Sequence, residues 1–155
     1  MKNTKENKMP GSRGKLYAVS NAHLDTQWNW TVVDTIRDCC KATLENNLSL
    51  FEKFPGYVFN FEGAFHYALM KEYYPELYKK MQKAVKDGRW NPCGAMWDAA
   101  DMNVPSSEAL MRQILYGNRF FESELGKKTE DIFLPDCFGF RAALPTIARH
   151  MGLIA

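Results

Sequence analysis

Stretches with the pattern of buried strands alternate with stretches of helical periodicity, and this alternation is the feature that most restricts the fold. The predicted strands are 15–20, 57–62, 89–97 and 131–136, and "LIA" at 153–155 predicts the start of a fifth. The predicted helices are 32–54, 64–85 with a break at Pro75 and an end at Gly88, 105–126, and 144–152. Consecutive β-α units predict an α/β fold in which helices wrap a parallel sheet, as part of a barrel or of a doubly wound sheet.

Composition and charge exclude several classes of protein. The 155 residues are 46% hydrophobic, which is enough for a core, and the net charge of +2 comes from scattered basic residues that predict no nucleic-acid partner. No apolar run approaches the roughly 18 residues of a membrane helix, and no signal peptide is visible. We therefore expect no membrane partner and a cytoplasmic location. Residues 1–14 are polar and without periodicity, which predicts a flexible leader before a folded region at 15–155.

The cysteine spacing is compatible with a cytoplasmic location. The four cysteines form neither a C-x-x-C pair nor the dense spacing of a small disulfide scaffold. We expect free thiols.

Side chains typical of a metal site follow the predicted strands. His23 and Asp25 come after the first strand, in "NAHLDTQWNW", and Asp136 closes the fourth. Residues two apart in extended chain point to the same side, so His23 and Asp25 can bind one divalent ion, with Asp136 as a third ligand. The alternative for the H-x-D pair alone is a polar strand end in which Asp25 caps the next helix.

Three segments together resemble a known family. They are "NAHLDTQWNW", "GAMWDAADMNVPSSEALMRQILYG" and "IFLPDCFGFRAALPTIARHMGL". In this order they are similar to the first half of the catalytic domain of glycoside hydrolase family 38, the retaining α-mannosidases. The similarity runs from about Lys15 to the end of the chain, and H-x-D-x-x-W with a distant P-D-x-F-G is a specific combination. By this resemblance the region 15–155 is the N-terminal portion of a seven-stranded (β/α) barrel-like catalytic domain.

The resemblance also implies roles for individual residues. His23 and Asp25 correspond to zinc ligands, and Asp136 to the aspartate that both binds zinc and acts as the nucleophile. Trp28 corresponds to an aromatic residue of the sugar pocket. The implied reaction is the hydrolysis of terminal α-mannosidic bonds of a mannose-containing oligosaccharide by a retaining double displacement. The implied cofactor is Zn²⁺, although His and Asp ligands also suit Co²⁺.

Two differences limit the resemblance. The family's fourth ligand, a histidine, and its general acid, an aspartate, are expected beyond residue 155, so residues 1–155 alone should be inactive. Many relatives also have an acidic residue where this chain has Ala99, and we assign no catalytic role to Asp98 or Asp101.

The other chemically notable residues are predicted to be structural. Trp30, Trp90 and Trp97 are expected to pack, His66 and His150 to be structural or on the surface, and the thiols of Cys39, Cys40 and Cys137 to have no catalytic role. Asp101 and Asn103 fit either contact with substrate or a structural turn.

Two other functions remain compatible with these residues. A metal-dependent carbohydrate deacetylase would use the same ligand types to activate water. A non-catalytic sugar-binding module would keep the fold without turnover.

Overall fold

Three short parallel strands form the sheet of the computed structural model, which describes residues 15–154. The strands are β1 (Ser20–Ala22), β2 (Phe59–Phe61) and β3 (Trp90–Pro92), in the order β1-β2-β3. All pairs are parallel, so the carboxyl ends of the three strands lie at one edge of the sheet. The predicted α/β class and the parallel sheet are therefore confirmed. The predicted leader, residues 1–14, lies outside the described residues.

The helices fall close to the predicted positions. They are α1 (Val32–Asp34), a π-helical segment (Thr35–Cys40), α2 (Lys41–Lys53), α3 (Ala64–Tyr73), α4 (Pro75–Lys86), α5 (Ser107–Leu125) and α6 (Leu144–His150). The first three are continuous along the chain and correspond to the predicted helix 32–54. The predicted break at Pro75 is confirmed, because α3 ends before this proline and α4 begins with it.

Local side chains account for the ends of two of these helices. Thr31 and Asp34 form a reciprocal capping box that starts α1. The Ser106 hydroxyl accepts a hydrogen bond from the Ala109 N–H at the start of α5. Gly126 ends α5 in the left-handed conformation, with φ of 62°.

The first strand is shorter than predicted and displaced along the chain. Residues 15–19 lie outside the sheet, and Leu16 is 92% exposed. The register that pairs Ser20 with Phe59 would place Tyr17 opposite Gly56, in the turn after α2. Because that turn offers no extended partner, the apolar run "KLYAVS" forms no ladder there, and its prediction as a strand was wrong for all but Ser20.

The predicted fourth strand, 131–136, is wrong: this segment is irregular in the structure. Its contacts with the chain after β3 are isolated ones, from Ala95 N–H to Asp131 O and from Gly94 N–H to the Asp131 carboxylate. Gly94 has φ of 65°, which turns the chain out of extended conformation. β3 itself ends at Pro92, two residues before this glycine, and no regular ladder forms between the described residues of the two segments.

The predicted fifth strand is also not formed by the described residues at this end. Leu153 and Ile154 are irregular, with one bond from Ile154 N–H to Glu130 O. Ala155 lies outside the described residues.

Two apolar clusters support the sheet and the loops beyond it. The larger one lies around β2, β3 and helices α2 to α5, and its largest fully buried side chains are Trp90, Tyr67 and Phe61. The smaller one joins α5 and α6 to the segment after β3, through residues such as Met96, Ile114 and Ile147. The first cluster fixes the strands, and the second holds the loops that follow them.

Among residues 15–154, no helix combines the length and the apolar character needed to cross a membrane. The four cysteines all lie in this range and all are free thiols, as expected.

Candidate metal centre

His23 and Asp25 lie directly after β1, at the carboxyl edge of the sheet. The His23 Nε2 and Asp25 Oδ1 atoms are 3.3 Å apart, so the two side chains point to a common position. Two ligands of one tetrahedral ion with bonds of about 2.1 Å are separated by about 3.4 Å. The donor types and the spacing of this pair therefore fit a bound divalent ion.

Asp136 approaches the same position from a different part of the chain. It belongs to the irregular segment 131–141, and its carboxylate is exposed. One donor atom each from His23, Asp25 and Asp136 lie within 4.8 Å of one another. The structure thus brings together the three residues that the sequence predicts as ligands, although Asp136 comes from a loop and not from a strand end.

Glu62 is part of this arrangement, and the sequence reasoning missed it. Its Oε1 lies 2.5 Å from His23 Nδ1, on the side of the ring away from Asp25, and Glu62 is only 3% exposed. The β1–β2 register pairs Ala22 with Phe61, so His23 and Glu62 are the next residues on neighbouring strands. The rule that found His23 at a strand end would also have found Glu62 after "FNF".

Burial and charge act on this pair in opposite directions. Burial lowers the pKa of His23, but hydrogen bonding and the charges of Glu62 and Asp25 outweigh it, so that the pKa is raised. Burial raises the pKa of Glu62, and the hydrogen bond from His23 partly opposes the shift.

A partly buried polar network surrounds Thr26, the residue after Asp25. The Thr26 hydroxyl donates to Asp98 Oδ2 at 2.7 Å, so its oxygen is left to accept from His66 Nε2 at 3.1 Å. His66 is 1% exposed, and burial lowers its pKa, which favours the neutral ring. Gly63 makes room for that ring, because a Cβ there would lie 2.6 Å from His66 Nδ1. His66 is therefore structural, as predicted, but it supports the site from within.

Trp28 and Phe138 stand at the rim of a cavity of about 330 Å³ whose wall includes the three candidate ligands. Trp28 is 69% exposed and contacts Trp30 edge to face, with ring centroids 5.8 Å apart. An exposed indole face beside a polar cavity suits the apolar C–H face of a sugar ring. Phe138, which the sequence analysis did not single out, is 91% exposed.

The other tryptophans pack, as predicted. Trp90 is buried and donates to the Tyr67 hydroxyl. Trp97 packs against Phe65 and Phe120. Trp30 donates its Nε1–H to the Thr35 hydroxyl.

Thr35 begins the π-helical segment and connects it to the site. Its own hydroxyl donates to the backbone oxygen of Thr26, next to Asp25. Helical segments of this kind are often found at functional sites. Here Thr35 connects the π-helical segment by a hydrogen bond to the loop that carries His23 and Asp25.

The segment carrying Asp136 rests on the loop 99–105. Cys137 Sγ contacts Ala100 O at 3.5 Å, and Arg141 Nη1 donates to Pro105 O at 2.7 Å. Asp101, on the cavity wall, accepts backbone hydrogen bonds from Asn103 and Val104 and so shapes that loop. The Asp101 pKa is lowered by these bonds, which keep the carboxylate ionised.

His150 lies apart from this site, exposed on α6. The prediction that it is a structural or surface residue is confirmed.

The whole described chain matches one protein family. The model of the N-terminal domain of the glycosyl hydrolases family 38 matches residues 13–155. The chain belongs to this family. It is 39% identical to alpha-mannosidase G of Dictyostelium discoideum and 36% identical to alpha-mannosidase 2C1 of Homo sapiens, each over 92% of this chain. The chain spans 13% and 14% of the lengths of these two relatives.

Solved structures support the same fold. An alpha-mannosidase from Enterococcus faecalis V583 superposes with a TM-score of 0.77 at 23% identity, over 87% of this chain and 15% of that protein. A 4-alpha-glucanotransferase from Thermococcus litoralis superposes with a TM-score of 0.65 at 16% identity, over 87% of this chain and 20% of that protein. At these identities the likeness concerns the fold alone.

Proposed function

We propose that the protein carrying this chain hydrolyses terminal α-mannosidic bonds of a mannose-containing oligosaccharide. His23, Asp25 and Asp136 would hold a divalent metal ion, and Asp136 would be the nucleophile of a retaining reaction. The observation that carries this proposal is the convergence of these three side chains within 4.8 Å on the wall of one cavity. The family membership and the curated relatives named alpha-mannosidase support the substrate class.

The chemistry suits the residues at each position. A bound divalent ion supplies positive charge and a template that orients sugar hydroxyls. The Asp136 carboxylate is exposed to the cavity, where it can attack an anomeric carbon and form a covalent glycosyl ester. In a retaining glycosidase a second carboxyl group about 5–5.5 Å away protonates the leaving oxygen and then activates water. The indole of Trp28 would pack against the apolar C–H face of the sugar ring.

The remaining parts of the proposal lie outside residues 15–154. We propose that the general acid and a fourth, histidine ligand come from beyond residue 155, within a seven-stranded barrel-like domain. Residues 1–155 alone should then give no turnover of a nitrophenyl α-mannoside.

We propose Zn²⁺ as the ion, with Co²⁺ as a functional substitute, because both suit imidazole and carboxylate ligands. The cytoplasmic location also remains a proposal.

Trapping of the covalent intermediate tests this function. The full-length protein is incubated with a fluorinated mannosyl fluoride, which slows hydrolysis of the glycosyl ester, and the labelled peptide is mapped by mass spectrometry. We expect the label on Asp136. The Asp136→Asn variant should lose both labelling and turnover, because its amide cannot replace the carboxylate as nucleophile.

A matched control is available on the same loop. Glu130 is exposed and six residues before Asp136, so Glu130→Gln removes a nearby carboxylate without touching the cavity. This variant should be labelled like the wild type. A label on another residue, or full turnover by Asp136→Asn, would overturn the assignment of the nucleophile.

A further inference from the structure

Glu62 is a buried carboxylate that the ligand set does not include. Its side chain is 4% exposed, and its one hydrogen bond to another described side chain is the contact with His23. Removing a carboxylate from water is unfavourable unless it is well paired. Packing alone gives no reason for an ionisable group at this position, so its contact with His23 is the feature to explain.

The contact determines which nitrogen of His23 can bind a metal ion. An ionised carboxylate can only accept hydrogen bonds, so the Glu62 oxygen at 2.5 Å requires a proton on His23 Nδ1. A neutral imidazole carries one proton, which leaves the lone pair on Nε2. Nε2 is the atom that faces Asp25 Oδ1 at 3.3 Å. The bond from Glu62 therefore selects the tautomer that presents a free donor atom to the ion position.

The backbone makes this arrangement stiff. His23 and Glu62 follow residues that are paired in the β1–β2 ladder, so their separation is set by the sheet. Glu62 is followed by Gly63 in a conformation with φ of 78°, and the chain then enters α3. With both ends of its segment fixed in this way, the carboxylate has little freedom to leave the imidazole.

We propose that Glu62 is a positioning residue that fixes the tautomer and ring orientation of His23, so that Nε2 faces the ion shared with Asp25 and Asp136. This inference rests on the proposed metal-dependent function. Such a partner does not touch the metal, but its removal typically weakens metal binding by about 10- to 100-fold.

The test is a measurement of metal affinity in the full-length protein. Zn²⁺ is titrated against a chromophoric chelator for the wild type, Glu62→Gln and Glu62→Ala. We expect Glu62→Ala to weaken Zn²⁺ binding by about 100-fold. Glu62→Gln keeps an amide oxygen that accepts from Nδ1–H, so we expect it to weaken Zn²⁺ binding by only about 10-fold. The graded rescue by the isosteric variant distinguishes positioning from a merely structural role.

A second readout does not depend on affinity. Co²⁺ is added at saturation, and its visible absorption spectrum reports the geometry of its ligands. The spectrum of Glu62→Ala should differ from that of the wild type, while Glu62→Gln should resemble the wild type more closely. The matched control is Glu124→Gln, which removes a partly buried carboxylate paired with Lys71, away from the cavity. Glu124→Gln should leave both measurements unchanged.

The outcomes separate this inference from the proposed function. If the wild type binds Zn²⁺ but both Glu62 variants bind it equally well, the positioning role is wrong and the metal centre stands. If the wild type binds no divalent ion, the proposed function itself is wrong, and the role of Glu62 fails with it. If Glu62→Ala does not fold, Glu62→Gln decides, since it preserves the volume of the side chain.

Discussion

The candidate site has two walls that are built differently. The strand wall, residues 20–26 with 59–66, carries His23 and Asp25 and is backed by the sheet and by the buried polar residues Glu62 and His66. The loop wall, residues 131–141, carries Asp136 and has no strand or helix among its residues. The strand wall is fixed by the sheet and the larger apolar cluster. The loop wall is held by contacts with the loop 99–105 and by the packing of Ile132 and Leu134 against the smaller apolar cluster.

This difference matches the roles proposed for the two walls. His23 and Asp25 are two of the three proposed ligands, and the parallel ladder and the buried Glu62 hold their donor atoms in place. Asp136 is proposed both as the third ligand and as the nucleophile, and its loop is exposed to the cavity where the substrate would bind.

The largest effect is expected from removing a core aromatic residue under the strand wall. Trp90 packs against Phe59 with ring centroids 4.9 Å apart and donates to the Tyr67 hydroxyl. Trp90→Ala should lower the free energy of unfolding by about 3–5 kcal/mol, because it leaves a large cavity. The exposed Phe138 of the loop wall is the matched control, and Phe138→Ala should cost less than about 0.5 kcal/mol. Thermal unfolding measured by circular dichroism compares the two, and equal losses would contradict the contrast between the walls.

A smaller effect is expected from releasing the loop wall. Arg141 donates to Pro105 O, and Arg141→Ala should lower the free energy of unfolding by about 1.5–3 kcal/mol, the range for hydrogen bonds from charged groups. The same variant should reduce kcat, because Asp136 lies five residues away on the released segment. Arg149→Ala removes an exposed arginine from α6 and serves as the control. Unchanged kcat and stability in Arg141→Ala would show that this contact does not hold the loop.

The smallest effect concerns the reactivity of thiols. Cys93, directly after β3, is buried, and burial raises its pKa to about 12. Cys137 of the loop wall is only partly buried, although burial also raises its pKa. At pH 8 a maleimide should therefore modify Cys137 before Cys93, and the rate at Cys137 should rise with pH as the thiolate forms. Peptide mapping after short exposure checks the order, and faster labelling of Cys93 would contradict it.

The sequence predicts those parts of the fold that depend on local signals. Helices α3, α4 and α5 begin and end near their predicted residues because Pro75, Ser106 and Gly126 act on the adjacent backbone alone. Whether a predicted strand forms depends on the segment that lies beside it. "KLYAVS" has strand composition, but the turn at Pro55 and Gly56 lies opposite Leu16 and Tyr17. The segment 131–136 lies beside a chain that turns at Gly94. Pairing of this kind cannot be read from one segment.

The candidate site was predictable to a similar extent. The convergence of His23, Asp25 and Asp136 was expected from strand ends and from the resemblance to family 38. Glu62 also follows a strand and could have been noted as a strand-end residue, but its contact with His23 depends on the register that places the two side by side. The link between Thr26, His66 and Asp98 was missed because its members come from three separate segments of the chain.

Metal content is the measurement that tests the central claim most directly. The full-length protein is purified without chelator, and its divalent metals are quantified by elemental analysis beside those of the His23→Ala, Asp25→Ala and Glu124→Gln variants. We expect a stoichiometric divalent ion, zinc by our proposal, in the wild type and in Glu124→Gln, and a strong loss in the two ligand variants. A wild type without bound metal that gains no activity from added Zn²⁺, or His23→Ala and Asp25→Ala variants that keep a full complement of metal, would contradict the account.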